Sequence, residues 1–322
     1  MTPSTLQESE VGIEAEVTII GAGPAGLSAA LNLARARVSV VVIDEGRPRN
    51  AATLRSHGFL TRDGVPPLEL RKLARAELAA YPGVRVLDRA VVTGVATRET
   101  AGGPRFSVAL RGRQGTPRVV SARSVVVCTG LRETLPAIPS LRAYYGITMF
   151  SCAACDAYEV QDRPLALIGE TADLGARARL IARWTDRLTV FTNGAPIIDT
   201  VEEAELAAAG VAVDRRTVAD LEGERGAVAG VRLADGDVIP IAGGFVRPRW
   251  SPSLEFLSHV DIARDEAGHL VVDRSGRTSV PGIYAAGDAA APGPQQLIVA
   301  AGQGARVAAV LVHDLIGVTT AH

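Results

Sequence analysis

The chain has 322 residues, a length that predicts about two domains at roughly 150 residues each. Its 34 Lys and Arg residues balance its 35 Asp and Glu residues, and the formal net charge of −1 excludes the basic surface typical of nucleic-acid binding. Hydrophobic residues make up 47% of the chain, which favours a packed α/β protein over a disordered one. The acidic start MTPSTLQESEVGIEAE and the lack of an unbroken run of about 18 apolar residues predict a cytoplasmic protein without a membrane partner.

The first predicted unit is a strand, a glycine-rich turn, a helix and a second strand, running from Val17 to Asp44 as VTIIGAGPAGLSAALNLARARVSVVVID. Gly21, Gly23 and Gly26 form G-x-G-x-x-G between strand and helix, the context that a dinucleotide fingerprint requires. The first glycine makes the turn, the second admits a pyrophosphate and the third lets the helix pack on the strand. Asp44 ends the next strand, where a carboxylate can bind a ribose hydroxyl. The pattern predicts an ADP-containing cofactor, and its alternative is a chance glycine-rich turn.

A second, weaker copy of this unit begins at Leu165, as LALIGETADLGARARLIARWTDRLTVFTNG. Between the copies, strand-like pieces lead into LRETLPAIPS, which reads as an extended connector because each proline disfavours helix at the residue before it. The sequence therefore predicts an α/β protein with two related domains and a first boundary at this connector.

Two of the three cysteines, Cys152 and Cys155, form C-x-x-C in the segment FSCAACDAYEV, followed directly by Asp156. Cysteines three apart at a helix start can close a disulfide, and the helix dipole lowers the pKa of a thiol at the terminus, as thiol–disulfide exchange requires. A zinc site needs two more ligands, and the chain offers only Cys128 and scattered histidines. An inert structural pair is the other alternative. We expect Cys128, inside VVVCTG, to be a core residue, and we expect no metal.

Together, the fingerprint, the C-A-A-C-D motif and the ending TSVPGIYAAGD resemble low-molecular-weight thioredoxin reductases over nearly the whole chain. The resemblance implies an α/β fold with two Rossmann-like, three-layer (ββα-type) dinucleotide-binding domains of the flavoprotein disulfide reductase type. Residues 1–136 and 246–322 would form a discontinuous FAD-binding domain. Residues 137–245 would form a degenerate pyridine-nucleotide-type domain that carries the C-x-x-C.

The same resemblance implies roles for individual residues. Cys155 would lie next to the flavin ring, Cys152 would be the interchange sulfur that meets substrate, and Asp156 would move protons on and off the thiols. The alternative for Asp156 is a helix carboxylate that only complements the dipole. The expected FAD contacts are Gly21, Gly23, Gly26, Asp44, Thr129, Gly130, Gly287, Asp288 and Gln296.

The second glycine turn departs from the thioredoxin reductase pattern. That family binds NADPH through G-x-G-x-x-A and a basic triplet at the next strand end, because a 2′-phosphate needs arginine forks. Here Glu170 and Thr171 follow Gly169, and Thr192-Asn193-Gly194 replaces the triplet. Thr171 would block close backbone approach, and Glu170 places a negative charge where a pyrophosphate would lie. We therefore expect no tight nicotinamide site.

An FAD and C-x-x-C enzyme with a degenerate nicotinamide site is similar to the dithiol oxidases of the gliotoxin and holomycin type, which close disulfides in small natural products. The stretch GRPRNAATLRSHGFLTRDGVPPLEL also resembles that group. Within it, His57 is the candidate base for the substrate thiol, and its alternative is a loop histidine that only packs in the FAD domain. Ser151 stands where gliotoxin-type oxidases carry a histidine, which leaves the base open.

The resemblance implies a cytoplasmic homodimer that oxidises a small-molecule dithiol with O2 as electron acceptor, giving hydrogen peroxide. One rival is a thioredoxin reductase-like disulfide reductase that takes electrons from ferredoxin or weakly bound NAD(P)H. Another is a non-catalytic flavin-binding sensor, against which the intact C-x-x-C-D argues.

Overall fold

The computed structural model describes residues 12–100, 103–112, 117–290 and 293–318, so most of the acidic start lies outside the described residues. The chain divides into two compact units. The first combines the described residues up to 49 with 68–132 and those from 251 onward, and the second combines 50–67 with 133–250. The sequence analysis placed 50–67 in the first domain. The structure groups this segment with the second unit instead.

The strands are β1 (Ile13–Ile20), β2 (Val40–Asp44), β3 (Val84–Asp88), β4 (Val91–Thr100), β5 (Gly103–Arg111), β6 (Pro117–Val127), β7 (Leu131–Thr134), β8 (Met149–Phe150), β9 (Leu165–Ile168), β10 (Leu188–Phe191), β11 (Ala212–Asp214), β12 (Val218–Glu224), β13 (Ala227–Leu233), β14 (Val238–Pro240), β15 (Gly243–Val246), β16 (Arg249–Pro252) and β17 (Ile283–Ala285). The α-helices are α1 (Pro24–Arg35), α2 (Pro67–Ala79), α3 (Leu141–Tyr144), α4 (Ala153–Asp156), α5 (Leu174–Ile181), α6 (Thr200–Ala208) and α7 (Leu297–Leu315). Short 3₁₀ turns span Arg49–Ala52, Tyr158–Val160, Glu255–Leu257 and Gly287–Ala289.

The first unit is built on a seven-stranded sheet with the order β3-β2-β1-β6-β5-β4 and with β17 also paired to β6. Strands β1, β2, β3, β6 and β17 run parallel, and β4 and β5 form an antiparallel extension. Val17 and Ile19 pack toward the helices, whereas Ile20 packs on the opposite face, as alternation along a strand requires. The sheet is therefore covered on both faces.

Helix α7 is long and apolar enough to cross a membrane by length and composition alone. In this structure it is a core helix of the first unit. A Cβ added to Gly304 would lie 2.0 Å from the Ala25 carbonyl oxygen of α1, and Val307, Ala308 and Leu311 are buried. The apolar character of α7 thus serves packing between helices.

The second unit contains a five-stranded parallel sheet with the order β11-β10-β9-β15-β8. A separate three-stranded antiparallel sheet has the order β12-β13-β14. The predicted second strand–turn–helix–strand unit is present as β9, α5 and β10. Both predicted dinucleotide-type sheets and the α/β fold class are confirmed.

Candidate active site

The first glycine turn joins β1 to α1 and leaves open space at the second glycine. Gly21 has φ +107°, and a Cβ there would lie 2.3 Å from the Cys128 carbonyl oxygen. A Cβ on Gly26 would lie 1.9 Å from the Gly21 carbonyl oxygen. These two glycines are required by the fold itself. A Cβ on Gly23 meets no described atom within 4 Å, so the backbone is exposed where a pyrophosphate would approach the helix.

The end of β6 offers a second feature that fits a bound cofactor. Thr129 Oγ1 is buried and has no hydrogen-bond partner among the described residues. The next residue, Gly130, has φ +66°, and a Cβ there would again meet nothing within 4 Å. A buried hydroxyl without a partner costs free energy unless a ligand satisfies it. The residues present at this strand end therefore fit the polar edge of an FAD molecule.

The acids expected to bind the cofactor are held by arginines. Asp44 is 6% exposed; it accepts the Gly46 backbone N–H at 2.9 Å and hydrogen bonds from Arg71 and Arg75 of α2. Asp288 accepts a hydrogen bond from Arg49 at 2.7 Å. Each carboxylate is thus paired with arginines, which the sequence analysis did not anticipate. The pairs of Asp44 with Arg71 and Arg75 also anchor α2 to the end of β2.

The remaining expected contacts lie at the start of α7 and just before it. The Gly287 N–H donates to Gln303 Oε1 at 2.7 Å, and the Gln296 N–H donates to the Pro294 carbonyl at 2.8 Å. Gln303 was not anticipated, although its place nearly two turns into a helix that follows a Gly-Asp turn is a usable signal.

The redox pair lies in the second unit. Cys152 and Cys155 are joined by a disulfide, with 5.2 Å between their Cα atoms. Cys152 has extended backbone geometry and caps α4, and its carbonyl accepts the N–H groups of Cys155 and Asp156. Helix α4 is a single turn, so the expected dipole support for a thiolate comes from few aligned peptides. Within the described ranges, no group of three or more His, Cys, Asp or Glu residues is arranged to hold a metal ion.

The third cysteine, Cys128, is buried beside the residues that pack β1 against α1. Burial raises the pKa of its thiol to about 12, because the low-dielectric core disfavours the thiolate. The prediction of a core residue is confirmed.

Asp156 has a strongly altered acidity. Burial raises the pKa of this carboxyl to about 7; the positive charge of His57 partly opposes the shift and the carboxylate of Glu159 adds to it. A carboxyl that titrates near neutral pH can both accept and return a proton under physiological conditions.

The segment 50–67 brings His57 close to the 3₁₀ turn Tyr158–Val160, which follows α4. Its Nε2 lies 3.5 Å from Glu159 Oε1, its Nδ1 lies 3.5 Å from Asp63 Oδ1, and its side chain is largely buried. The segment packs closely on the rest of the second unit at Gly146, where a Cβ would lie 2.1 Å from the Ala52 carbonyl oxygen. His57 therefore belongs to the unit that carries the cysteines.

The second glycine turn is filled by side chains. Asn193 Nδ2 donates to Glu170 Oε1 at 2.6 Å, and Asn193 Oδ1 accepts the Val218 N–H at 2.8 Å. The acid in the turn is thus tied to the end of the neighbouring strand, across the place that a dinucleotide would enter.

Arg247 packs against the same turn. A Cβ added to Gly169 would lie 2.7 Å from Arg247 Cβ. The guanidinium pairs with Asp173 at 2.9 Å and lies 4.3 Å from the centre of the Trp250 ring. Hydrogen bonds from Arg247, Thr171 and Arg177 lower the pKa of Asp173, even though burial opposes this shift. The sequence analysis missed Arg247, although an arginine directly after an apolar strand was a visible signal.

Known proteins resemble this chain over most of its length. A family model described as pyridine nucleotide-disulphide oxidoreductase matches residues 15–304. A thioredoxin reductase of Listeria monocytogenes is 27% identical over 306 residues, 90% of each chain. A probable thioredoxin reductase of Arthroderma benhamiae is 31% identical over 194 residues, 60% of this chain and 47% of that one, so the match spans about half of that protein. The crystal structure of HlmI has a TM-score of 0.87 and 38% identity, covering 96% of this chain and 94% of HlmI.

Proposed function

The chain belongs to the pyridine nucleotide-disulphide oxidoreductase family, as an FAD-dependent thiol/disulfide oxidoreductase of thioredoxin reductase type, and within that family we propose that it is a dithiol oxidase. Its substrate is a small-molecule dithiol, in which it forms an intramolecular disulfide. The electron acceptor is O2, and the second product is hydrogen peroxide.

One observation carries this proposal: side chains of the protein itself fill the second glycine turn. The Glu170–Asn193 hydrogen bond and the Arg247–Asp173 ion pair occupy the strand ends where a nicotinamide dinucleotide would bind. A negative charge in the turn also opposes a pyrophosphate. An enzyme without this electron entry takes its electrons from a protein donor or runs in the other direction, from thiols to flavin, and we propose the second. The sequence resemblance to dithiol oxidases of the gliotoxin and holomycin type supports the same direction, and the chain is 38% identical to HlmI.

We assign FAD to the first unit. The open backbone at Gly23 and Gly130 and the unpartnered Thr129 hydroxyl fit its phosphates and polar edge, and Asp44, Gly287, Asp288 and Gln296 complete the proposed set. When bound, FAD supplies an acceptor for the electron pair of the dithiol and is reoxidised by O2.

The thiol chemistry is assigned to the second unit. A substrate thiolate attacks Cys152 Sγ, the Cys152–Cys155 bond breaks, and Cys155 leaves as a thiolate. The second substrate thiolate then attacks the substrate sulfur of the mixed disulfide, which releases the cyclic disulfide and the Cys152 thiolate. Asp156 and His57 are the proposed acid/base pair for these sulfurs, because burial raises the pKa of Asp156 to about 7 and His57 interacts electrostatically with that carboxyl. Cys155 is the proposed electron-pair donor to the cofactor.

The test is anaerobic mixing of the yellow holoenzyme with NADPH, NADH or dithiothreitol, with flavin bleaching followed at its visible absorbance. We expect bleaching by dithiothreitol and none of comparable rate by either nicotinamide. Admission of air should restore the colour and form peroxide. Fast bleaching by NADPH together with inert dithiols would overturn the proposal. Cys155→Ser should keep FAD bound and lose dithiol-driven bleaching.

A second candidate is favoured by the relatives that bear the name thioredoxin reductase. In that case the enzyme reduces a protein disulfide with electrons from reduced ferredoxin. Reduced ferredoxin should then bleach the flavin anaerobically and drive reduction of thioredoxin. If the protein is a dithiol oxidase, we expect neither result.

We also propose a homodimer in the cytoplasm. Size-exclusion chromatography with light scattering tests the oligomer, and a mass of about twice the 33.5 kDa chain is expected.

A further inference from the structure

Three side chains of the second unit form a hydrogen-bonded row that ends at the residue before Cys152. The Tyr145 hydroxyl lies 2.6 Å from Glu133 Oε1 and 2.9 Å from Ser151 Oγ. Trp250 Nε1 donates to the same Glu133 oxygen at 3.3 Å. Sequence motifs did not single out Tyr145 or Glu133.

The direction of the hydrogen bonds in this row follows from the protons available. A carboxylate oxygen only accepts, so the single Tyr145 hydroxyl proton points to Glu133, which is also the shorter contact. The contact to Ser151 is then made by the serine hydroxyl, which donates to the phenol oxygen. Ser151 Oγ, on the residue that precedes Cys152, is left with lone pairs that can accept a proton.

The backbone holds this row in place. The Tyr145 N–H donates to the Leu141 carbonyl at 3.0 Å, and the Gly146 N–H donates to the Met149 carbonyl at 2.7 Å. These bonds close the turn between α3 and β8, and β8 leads directly into Ser151 and Cys152. The phenol and the serine hydroxyl are thus positioned by the same turn, so little ordering is needed when a thiol arrives.

We propose that Ser151, Tyr145 and Glu133 form a proton-transfer route for the thiol that attacks Cys152. The thiol proton passes to Ser151 Oγ as the serine proton moves to the Tyr145 oxygen and the tyrosine proton moves to Glu133. The thiol sulfur bonds to Cys152 Sγ, and Cys155 leaves as a thiolate. Glu133, which is partly exposed, returns the proton to water. Ser151 is the catalytic residue of the route, and Tyr145 and Glu133 act through it as positioning residues.

This inference rests on the proposed function and deepens it, because a dithiol substrate has two thiol protons to lose. The Asp156–His57 pair and the Ser151–Tyr145–Glu133 row share no residue. The two sets therefore provide two separate proton acceptors around one disulfide.

The test measures how fast dithiothreitol reduces the enzyme disulfide, by rapid acid quench, alkylation of the freed thiols and mass analysis. Tyr145→Phe, Ser151→Ala and Glu133→Gln in the holoenzyme should each be slowed by about 10- to 100-fold at pH 7. The defect should shrink to within about twofold near pH 10, because an ordinary thiol of pKa about 8.5 is then already ionised. Ser151→Thr keeps a hydroxyl and should restore most of the rate.

Tyr144→Phe is the matched control. It lies next to Tyr145 at the end of α3 and loses a comparable hydrogen bond, to the Gly223 carbonyl at 3.1 Å. A slowdown of Tyr145→Phe that is the same at all pH values, or that equals the Tyr144→Phe effect, would overturn the proposal. In Glu133→Gln the side-chain oxygen can still accept a hydrogen bond from the Tyr145 hydroxyl, but it no longer takes up the proton. This variant therefore tests the route if Tyr145→Phe folds poorly.

The readout distinguishes this proposal from the proposed function, because it follows the cysteines and needs neither flavin reduction nor O2. A wild-type enzyme whose disulfide is reduced by dithiothreitol, with the expected pH-dependent variants, but which forms no peroxide in air, supports the proton route and contradicts the oxidase.

Discussion

The two strand–turn–helix beginnings of this molecule share a topology and differ in what fills the turn. In the first unit, α1 begins at Pro24 and its N-cap residue, Gly23, has no side chain to cap it; a Cβ on Gly23 would meet nothing within 4 Å. In the second unit, Thr171 takes the place of the second glycine. Glu170 is bonded to Asn193, and the Arg247 guanidinium pairs with Asp173, the residue before α5. The same topology thus gives two different turns. In the first, small residues leave the backbone N–H groups exposed; in the second, polar side chains form hydrogen bonds and ion pairs with one another.

The largest expected effect comes from closing the open turn. Gly23→Val places a branched side chain where the proposed cofactor phosphates approach, without a clash against the protein itself. FAD affinity should fall at least about 100-fold, or roughly 2.7 kcal/mol. The flavin-to-protein absorbance ratio and a fluorescence titration of the apoprotein measure this.

Gly94→Val in β4 is the matched control, since a Cβ there also meets nothing within 4 Å. Full flavin content in both variants would show that the open turn is not the cofactor site.

A smaller effect is expected from the buried acids, which also differ between the units. Asp44 is held by two arginines, whereas burial raises the pKa of Asp156 to about 7. With an unfolded pKa near 3.8, the folded protein binds more protons at Asp156 between about pH 4 and 7. The contribution of this group to stability is therefore favourable below pH 4 and is lost as pH rises to 7.

Asp156→Asn should accordingly raise the free energy of unfolding at pH 8 by about 2 kcal/mol, a value reduced for partial exposure, and leave it nearly unchanged at pH 4. Urea unfolding at the two pH values measures the difference. Asp44→Asn should instead destabilise at pH 8, because it removes the partner of Arg71 and Arg75. An equal shift of Asp156→Asn at both pH values contradicts the assigned burial effect.

The smallest effect is expected from reopening the closed turn. Glu170→Gly combined with Arg247→Ala removes the negative charge and the packed guanidinium, so flavin reduction by NADPH should accelerate by about tenfold, or 1.4 kcal/mol. The gain is limited because Thr192, Asn193 and Gly194 provide no basic partner for a 2′-phosphate.

Arg249→Ala serves as the control for this variant, because Arg249 is mostly exposed and lies 3.7 Å from Glu170. If the double variant is as inert toward NADPH as the control, filling of the turn is not what excludes nicotinamide.

Local patterns were sufficient for the fold and for part of the site. The apolar runs and glycines at Gly21 and Gly26 predicted both parallel sheets, because strand burial and close helix packing are read from neighbouring residues. The cysteine spacing likewise predicted a pair able to close a disulfide. These features depend on a few residues that are adjacent along the chain.

Long-range contacts could not be predicted in this way. The grouping of 50–67 with the second unit, the Arg247 that closes the turn near Gly169, and the Tyr145–Glu133 contact all join residues that no local period relates. Their positions depend on which surfaces bury one another once the sheets have formed.

The sequence by itself determined the α/β class, the open glycine turn, the redox motif and the family, since each is written in short-range spacing. Only the tertiary structure decided that Glu170 is tied to Asn193, that His57 lies between Glu159 and Asp63, and that Ser151 is linked to a carboxylate through Tyr145. Hydrogen bonds and ion pairs of this kind require two atoms to lie within about 3 to 4 Å of each other. Only the packing of the folded chain brings the atoms of these residues that close.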